Sequence, residues 1–292
     1  MSGLIAAFFD LDGTLIPRPS LERRFFRTLR DRREIPLKNY FHWLCEVLEL
    51  LPLGISAVTH ANKMYLRGVQ GFDENSTENR TASLVRKSGR PSRIRADQAE
   101  GQASTLPRRT PRLPVPRFFE EAVERVLCHA MLGHSLAIVS GTLEPLANAA
   151  AHALEAEIAD RGFAAEIRVC ATKLEEIEGR WTGRILGEAM FGQAKARVVK
   201  KVADEIRLDL SQCWAYGDSS ADRWMLATVG HPTAVNPTQG LGRIARKHDW
   251  PALRWTGEIE VPQRHREHRV EKMNGTEASA NNSALQQAGR RA

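Results

Sequence analysis

Cysteine is scarce and dispersed in this 292-residue chain. Cys45, Cys128, Cys170 and Cys213 form no CxxC or CxxH pattern, which argues against a disulfide framework or a zinc site and for a reducing compartment. Long apolar runs are missing too. No stretch reaches the roughly 20 apolar residues that span a bilayer, and the most apolar helical segment, residues 43–55, is interrupted by Glu46, Glu49 and Pro52. The apolar N-terminus lacks the basic start and small-residue cleavage site of a secretory signal, and it runs into Asp10 and Asp12. These absences predict a cytoplasmic protein without a membrane span.

Large apolar residues are sparse between residues 72 and 116, where Ser, Thr, Arg, Gln, Gly and Pro dominate. Such a stretch cannot bury enough surface to offset its ordering entropy, so residues 72–117 are predicted to be a disordered insertion. They hold ten Lys or Arg against five Asp or Glu, and residues 256–292 hold six against five. Of the formal net charge of +7, about +1 therefore belongs to the rest of the chain. The basic stretch has no interleaved aromatics to stack on bases, which argues against nucleic acid as a partner. The polar tail, 256–292, is also expected to be unstructured.

What remains alternates between two periodicities. Residues 3–9 are apolar on both faces, as a central parallel strand requires. Residues 20–68 read as helical, with Leu21, Phe25 and Leu29 at i, i+4 and i+8, and Pro36 and Pro52 divide them into three expected helices. Further along come a helix at 118–132, a strand at 134–139, an alanine-rich helix at 145–160 and a strand at 166–170. A hairpin at 173–186, a helix at 192–206 and a strand at 213–216 follow. Strands alternating with helices predict an α/β fold with a Rossmann-like parallel sheet and right-handed crossovers.

Three polar clusters lie just past the carboxyl ends of predicted strands: Asp10 with Asp12, Ser140 with Gly141, and Asp218 with Asp222. In open α/β sheets the ligand crevice lies along that edge, so the fold gathers what the sequence separates. Lys195 begins the helix leading into the third of these strands. Carboxylates converging on one point repel unless a cation neutralises them, and oxygen-only ligands suit Mg²⁺. A carboxylate held there can attack a phosphoryl group, and a second can protonate the leaving alkoxide and then activate water. A fixed Lys, a Ser hydroxyl and the N–H of Gly141 can stabilise the charge that phosphoryl transfer spreads over the equatorial oxygens.

These residues carry a family resemblance. Asp10-Leu11-Asp12-Gly13-Thr14 resembles motif I (DxDGT) of the haloacid dehalogenase superfamily, and Val139-Ser140-Gly141 its motif II. Lys195 matches motif III, and the run from Gly217-Asp218 to Asp222 resembles motif IV (GDxxxD). Order and spacing are similar to the phosphoserine-phosphatase-like branch (subfamily IB), which inserts a small helical cap between motifs I and II. The resemblance implies a catalytic core of residues 1–16 and 118–255 with a cap of residues 17–71. It implies Asp10 as nucleophile, Asp12 as general acid and base, and Ser140, Gly141 and Lys195 as phosphate-binding residues. Asp10, the backbone carbonyl of Asp12 and Asp218 would bind Mg²⁺, with Asp222 supporting that shell. The implied substrate is a small-molecule phosphate ester.

Taken singly, each motif has a plainer explanation. Asp-Gly-Thr marks turns, Ser140-Gly141-Thr142 could cap a helix, Lys195 could be a solvated helix residue, and Asp218 with Asp222 could form a first helical turn. Their combination in order favours chemistry. Arg67 is a candidate for a substrate carboxylate, although it shares a polar helical face with His60 and Lys63. Arg180 and Trp181, at the hairpin, could line the cleft or pack. Phosphoserine phosphatases place a glutamate where this chain has Pro19, with Glu22 the nearest acid, which weakens phosphoserine as the substrate. An inactive interaction protein and a phosphotransferase are the remaining alternatives.

Overall fold

Four consecutive small or aromatic residues, Ala6–Phe9, form a fully buried strand (β1) at the centre of the sheet. Adjacent side chains in a strand point to opposite faces, so Phe8 and Phe9 each need a separate cover. The computed structural model, which describes residues 4–50, 52, 63–69, 71 and 116–260, supplies both. Phe8 packs with Ala137, Val139, Val199, Val202 and Ala215 on one face. Phe9, on the other, stacks on Tyr216 at 4.7 Å and meets His129 edge-on at 5.9 Å. Burying each such large apolar side chain contributes roughly 1.5–3 kcal/mol.

The chain divides into two compact units, Met1–Ile259 and Glu260–Ala292, and of the second only Glu260 is described. In the first, Arg117–Phe119 (β2) leads into Glu120–Met131 (α3), followed by Ser135–Leu143 (β3), Glu144–Asp160 (α4) and Ile167–Thr172 (β4). A hairpin of Leu174–Ile177 (β5) and Arg180–Ile185 (β6) precedes Gln193–Ile206 (α5) and Trp214–Gly217 (β7). Arg223–Leu226 (α6), His231–Val235 (β8), Gln239–Lys247 (α7) and Ala252–Leu253 (β9) follow, and Glu258–Glu260 (β10) is a strand where the sequence predicts the start of the unstructured tail. The main sheet runs β4-β3-β1-β7-β8-β9, and each of its pairs is parallel. The expected Rossmann-like α/β core is present. The strand order reverses at β1, between β3 and β7, and there the carboxyl ends open a crevice.

Among the described residues, two helices lie between β1 and β2. Leu21–Asp31 (α1) buries Leu21, Phe25 and Leu29, and the Ser20 side chain accepts from Arg23 N at its N-terminus. Leu37–Leu50 (α2) is tied to a single turn at Met64–Leu66 because Asn39 Nδ2 donates to the carbonyls of Tyr65 and Arg67. The rest of the expected third helix lies outside the described residues, as does the predicted insertion apart from residues 116 and 117. So does the expected tail beyond residue 260.

Two further features differ from the sequence-based expectation. β3 continues through Ser140, Gly141 and Thr142 to Leu143, and its pairing with β4 shifts register between Ser140 and Leu143. A bulge of this kind re-aims side chains without ending the strand. The second concerns the hairpin, which reaches back to the segment after Met64–Leu66. Gly68 N donates to Trp181 O, Trp181 N to Val69 O, and Gly71 N to Gly179 O. Trp181 is buried and meets Phe25 edge-on, and it borders a small cavity with Arg67 and Arg180, apart from the one that Asp10 lines.

Candidate active site

The turn after β1 sets the site. Asp10 N donates to Tyr216 O across the sheet, and Leu15 N and Ile16 N close the turn onto Leu11 O. Gly13 is required on two grounds. Its φ is +94°, and a Cβ there would lie 2.4 Å from Asp218 Oδ2. Motif I and the carboxylate at the end of β7 thus approach as closely as a backbone without a side chain permits.

Lys195, in the first turn of α5, is buried and donates to both Asp10 Oδ1 and Asp222 Oδ1 at 2.6 Å. Asp222 is held from its other side by Ser219, whose N–H and Oγ–H donate to Oδ2 at 2.9 and 2.7 Å. Asp218 Oδ2 accepts from Arg18 Nη2 at 2.6 Å. That arginine side chain is 66% exposed and adds one cation from the solvent side. Asp12 faces elsewhere. Its carboxylate accepts from Leu21 N at 2.7 Å and from the Thr142 hydroxyl, which the β3 bulge aims at it. Ser140 Oγ accepts from Thr142 N at 3.2 Å, which leaves its own hydroxyl hydrogen uncommitted.

Electrostatics follow from this packing. Oxygens of Asp10, Asp218 and Asp222 lie within 4.8 Å of one another, all buried. Two like charges at that spacing repel by roughly 3–4 kcal/mol at an effective dielectric constant near 20. Burial pushes the Asp10 carboxyl well up, Asp222 and Asp218 add to the rise, and Lys195 opposes it. Asp218 is raised chiefly by burial, against its bond from Arg18. Asp12 is raised by burial, with the bonds from Thr142 and Leu21 opposing. Burial works against the Lys195 ammonium, but Asp10 and Asp222 outweigh it and its pKa is raised. Three carboxylates against one buried ammonium leave an excess of two negative charges, presented by oxygen alone. That donor set fits a hard divalent cation.

The structure brings Asp10, Asp12, Ser140, Gly141, Lys195 and Asp218 to one cavity of about 1,060 Å³, with Asp222 directly beneath through Lys195. Arg67 does not join them. It is exposed and lines a separate cavity of about 360 Å³ with Glu175 and Arg180, because the turn after Met64–Leu66 faces the hairpin. The sequence reading also missed residues that do line the site. Arg18 could have been flagged as a cation close after motif I, and Thr142 as the hydroxyl beside motif II. The Lys63 ammonium and the Tyr65 hydroxyl both donate to Glu22 Oε1, at 2.6 and 2.7 Å, and all three residues line the cavity. Burial and the adjacent Glu22 push the Tyr65 phenol up.

Comparisons with known proteins bear on the family and the fold. A family model described as haloacid dehalogenase-like hydrolase matches residues 7–227. The chain is 26% identical to a probable phosphatase of Mycobacterium tuberculosis over 264 residues, covering 89% of this chain and 78% of that protein. It is 40% identical to a phosphoserine phosphatase of the same organism, but over 79 residues, 27% of this chain and 26% of that one. A crystal structure of a protein of unknown function from Bordetella pertussis Tohama I aligns at a TM-score of 0.54 and 24% identity. That alignment covers 86% of this chain and 99% of the other, and it supports the fold. By its motifs, its sheet and the extent of the family match, this chain belongs to the haloacid dehalogenase-like hydrolases.

Proposed function

We propose that this chain is a Mg²⁺-dependent phosphomonoesterase of the cytoplasm that hydrolyses a small phosphorylated metabolite through an aspartyl-phosphate on Asp10. In this reading residues 17–71 cap a core of residues 1–16 and 118–255. The observation that carries it is the convergence of Asp10, Asp12, Ser140, Lys195 and Asp218 on one cavity at the carboxyl edge of β1, β3 and β7. That the probable phosphatase of M. tuberculosis aligns along most of both chains supports it.

Asp10, Asp218 and the main-chain carbonyl of Asp12 would hold Mg²⁺, while Asp222, with both oxygens already bonded to Lys195 and Ser219, orients the lysine. When bound, the cation supplies charge neutralisation for the phosphoryl oxygens and for the carboxylates around it. Lys195 fixes Asp10 through Oδ1, which leaves Oδ2 to attack phosphorus. Ser140 Oγ–H and Gly141 N–H donate to the equatorial oxygens. As the ester P–O bond breaks, the Asp12 carboxyl gives its proton to the leaving alkoxide. The Asp12 carboxylate then takes a proton from water, which attacks phosphorus and breaks the bond to Asp10. Thr142 and Leu21 N hold Asp12 in place for both transfers.

Phosphate release from a panel of monoesters, with and without Mg²⁺, tests this reading. Turnover that needs the metal and falls by roughly 10³-fold or more in Asp10→Asn is expected. Folded protein that releases no phosphate from any ester would remove the reading in favour of an interaction protein.

A further inference from the structure

We propose that the leaving group this site accepts is an uncharged alcohol bearing an aromatic ring, so that its preferred substrates are aralkyl phosphate monoesters. The inference rests on the phosphomonoesterase reading and names the substrate class.

Size comes first. At about 1,060 Å³ the cavity lies just above the roughly 300–1,000 Å³ typical of small-molecule sites, far more than a three-carbon phosphate fills. The phosphate end is polar: Asp10, Asp12, Ser140 and Lys195. Away from it the lining changes character. Phe26 of α1 meets Tyr65 edge-on at 5.1 Å and Tyr40 of α2 at 6.3 Å, forming one aromatic wall. Trp43, nearly one helical turn beyond Tyr40, lines the same cavity and is 38% exposed. Phe191, from the core side, lines it as well and is 40% exposed. Large rings left accessible in a concave site favour a partner that offers a ring to stack or meet edge-on.

Charge points the same way. Glu22, which lines the cavity at this wall, already accepts from Lys63 and Tyr65, and the Glu22 and Lys63 side chains are mostly buried. A substrate ammonium would find that carboxylate engaged, and a substrate carboxylate would find that lysine engaged. Displacing either partner would leave a half-buried charge unpaired. Arg18 and Arg23 also line the cavity, but both are solvent-exposed, so their pull on a distant group is screened. They favour the dianionic phosphate and make no built pocket for an amino acid.

The test compares kcat/KM of the full-length protein for 2-phenylethyl phosphate, ethyl phosphate and O-phospho-L-serine, whose leaving groups are all primary alcohols. The aromatic ester should exceed both others by roughly tenfold or more. In Trp43→Ala and Tyr40→Ala the ratio of 2-phenylethyl to ethyl phosphate should narrow by about three- to tenfold. A preference for O-phospho-L-serine, or equal rates for the phenylethyl and ethyl esters, overturns the proposal on the wild type alone. So does a ratio that neither folded variant changes. If no ester is turned over, the phosphatase reading fails separately. Calorimetric binding to Asp10→Asn then decides: 2-phenylethyl phosphate binding about tenfold tighter than ethyl phosphate supports the aromatic site, and equal binding overturns it.

Discussion

The Asp12 carboxylate draws its position from two donors that belong to different parts of the fold, Leu21 N at the start of α1 and the Thr142 hydroxyl in the β3 bulge. Replacing Thr142 by valine keeps the shape and deletes the donor. Under the proposed mechanism kcat should fall by roughly 10- to 100-fold with KM little changed, because Asp12 acts in the proton transfers and not in ground-state binding. A raised KM with kcat unchanged would instead mark Thr142 as a substrate-binding residue. At this scale the sequence was legible where chemistry and topology coincide. Asp10, Asp12, Ser140, Lys195 and Asp218 share one cavity because each lies at a strand end or helix start that a short motif marks. Arg18 and Thr142 carry no such mark, since an exposed arginine and a strand threonine are ordinary without knowledge of what they touch. Arg67 is a candidate only through its place in the expected cap, and its surroundings are the hairpin.

Between β1, β7 and α3 lies a packed aromatic layer whose polar atoms answer one another. His129 Nε2 bonds with Tyr216 OH at 2.9 Å, and His129 Nδ1 with His134 Nδ1 at 2.9 Å. Burial, with help from His134 and Arg125, holds the His129 imidazole at about 4. An unfolded chain takes up that proton near pH 6.5. Since the unfolded state binds protons first as the pH drops, this histidine's contribution is complete above about 6.5 and is lost as pH falls towards 4. The loss should be about 2–3 kcal/mol, seen as a steeper fall in urea-unfolding free energy between pH 7 and 4.5 for wild type than for His129→Gln. Identical slopes would show that the layer tolerates the charge. Elements themselves were mostly readable from periodicity: β1, α1, α4, α5 and the hairpin formed where the pattern put them. β3 reads short in the sequence because Ser-Gly-Thr resembles a helix cap, and only pairing with β4 shows that the strand continues. The hairpin was visible, but its partner was not, since backbone hydrogen bonds across more than a hundred residues leave no trace in local composition.

For the molecule as a whole, the charge is informative. About five of the seven net positive charges belong to residues 72–117, which are poor in the large apolar side chains that build cores. Replacing residues 73–114 with a short Gly/Ser linker should therefore change the melting temperature by no more than about 3 °C and leave phosphate release within about twofold, because little apolar burial would be lost. A drop of 10 °C or more would mean that this stretch contributes to the core after all. The parallel sheet was predictable as a class, from strands alternating with helices, and the site followed from the class. The order of strands was not, because parallel pairing depends on which crossovers the packed helices permit.

The hydrogen bonds from residues 68–71 to the hairpin also set a timetable. Gly68 is synthesised about 113 residues before its partner Trp181, so at roughly 5–20 residues per second it waits on the order of 6–20 s for that partner to leave the ribosome tunnel. Until then the aromatic wall of the cavity has only its local half, α1 and α2, to organise it. Substrate binding therefore matures late in biogenesis, and a chain released before residue 181 would carry motifs I and II yet leave Gly68 N and Val69 O without their partner Trp181.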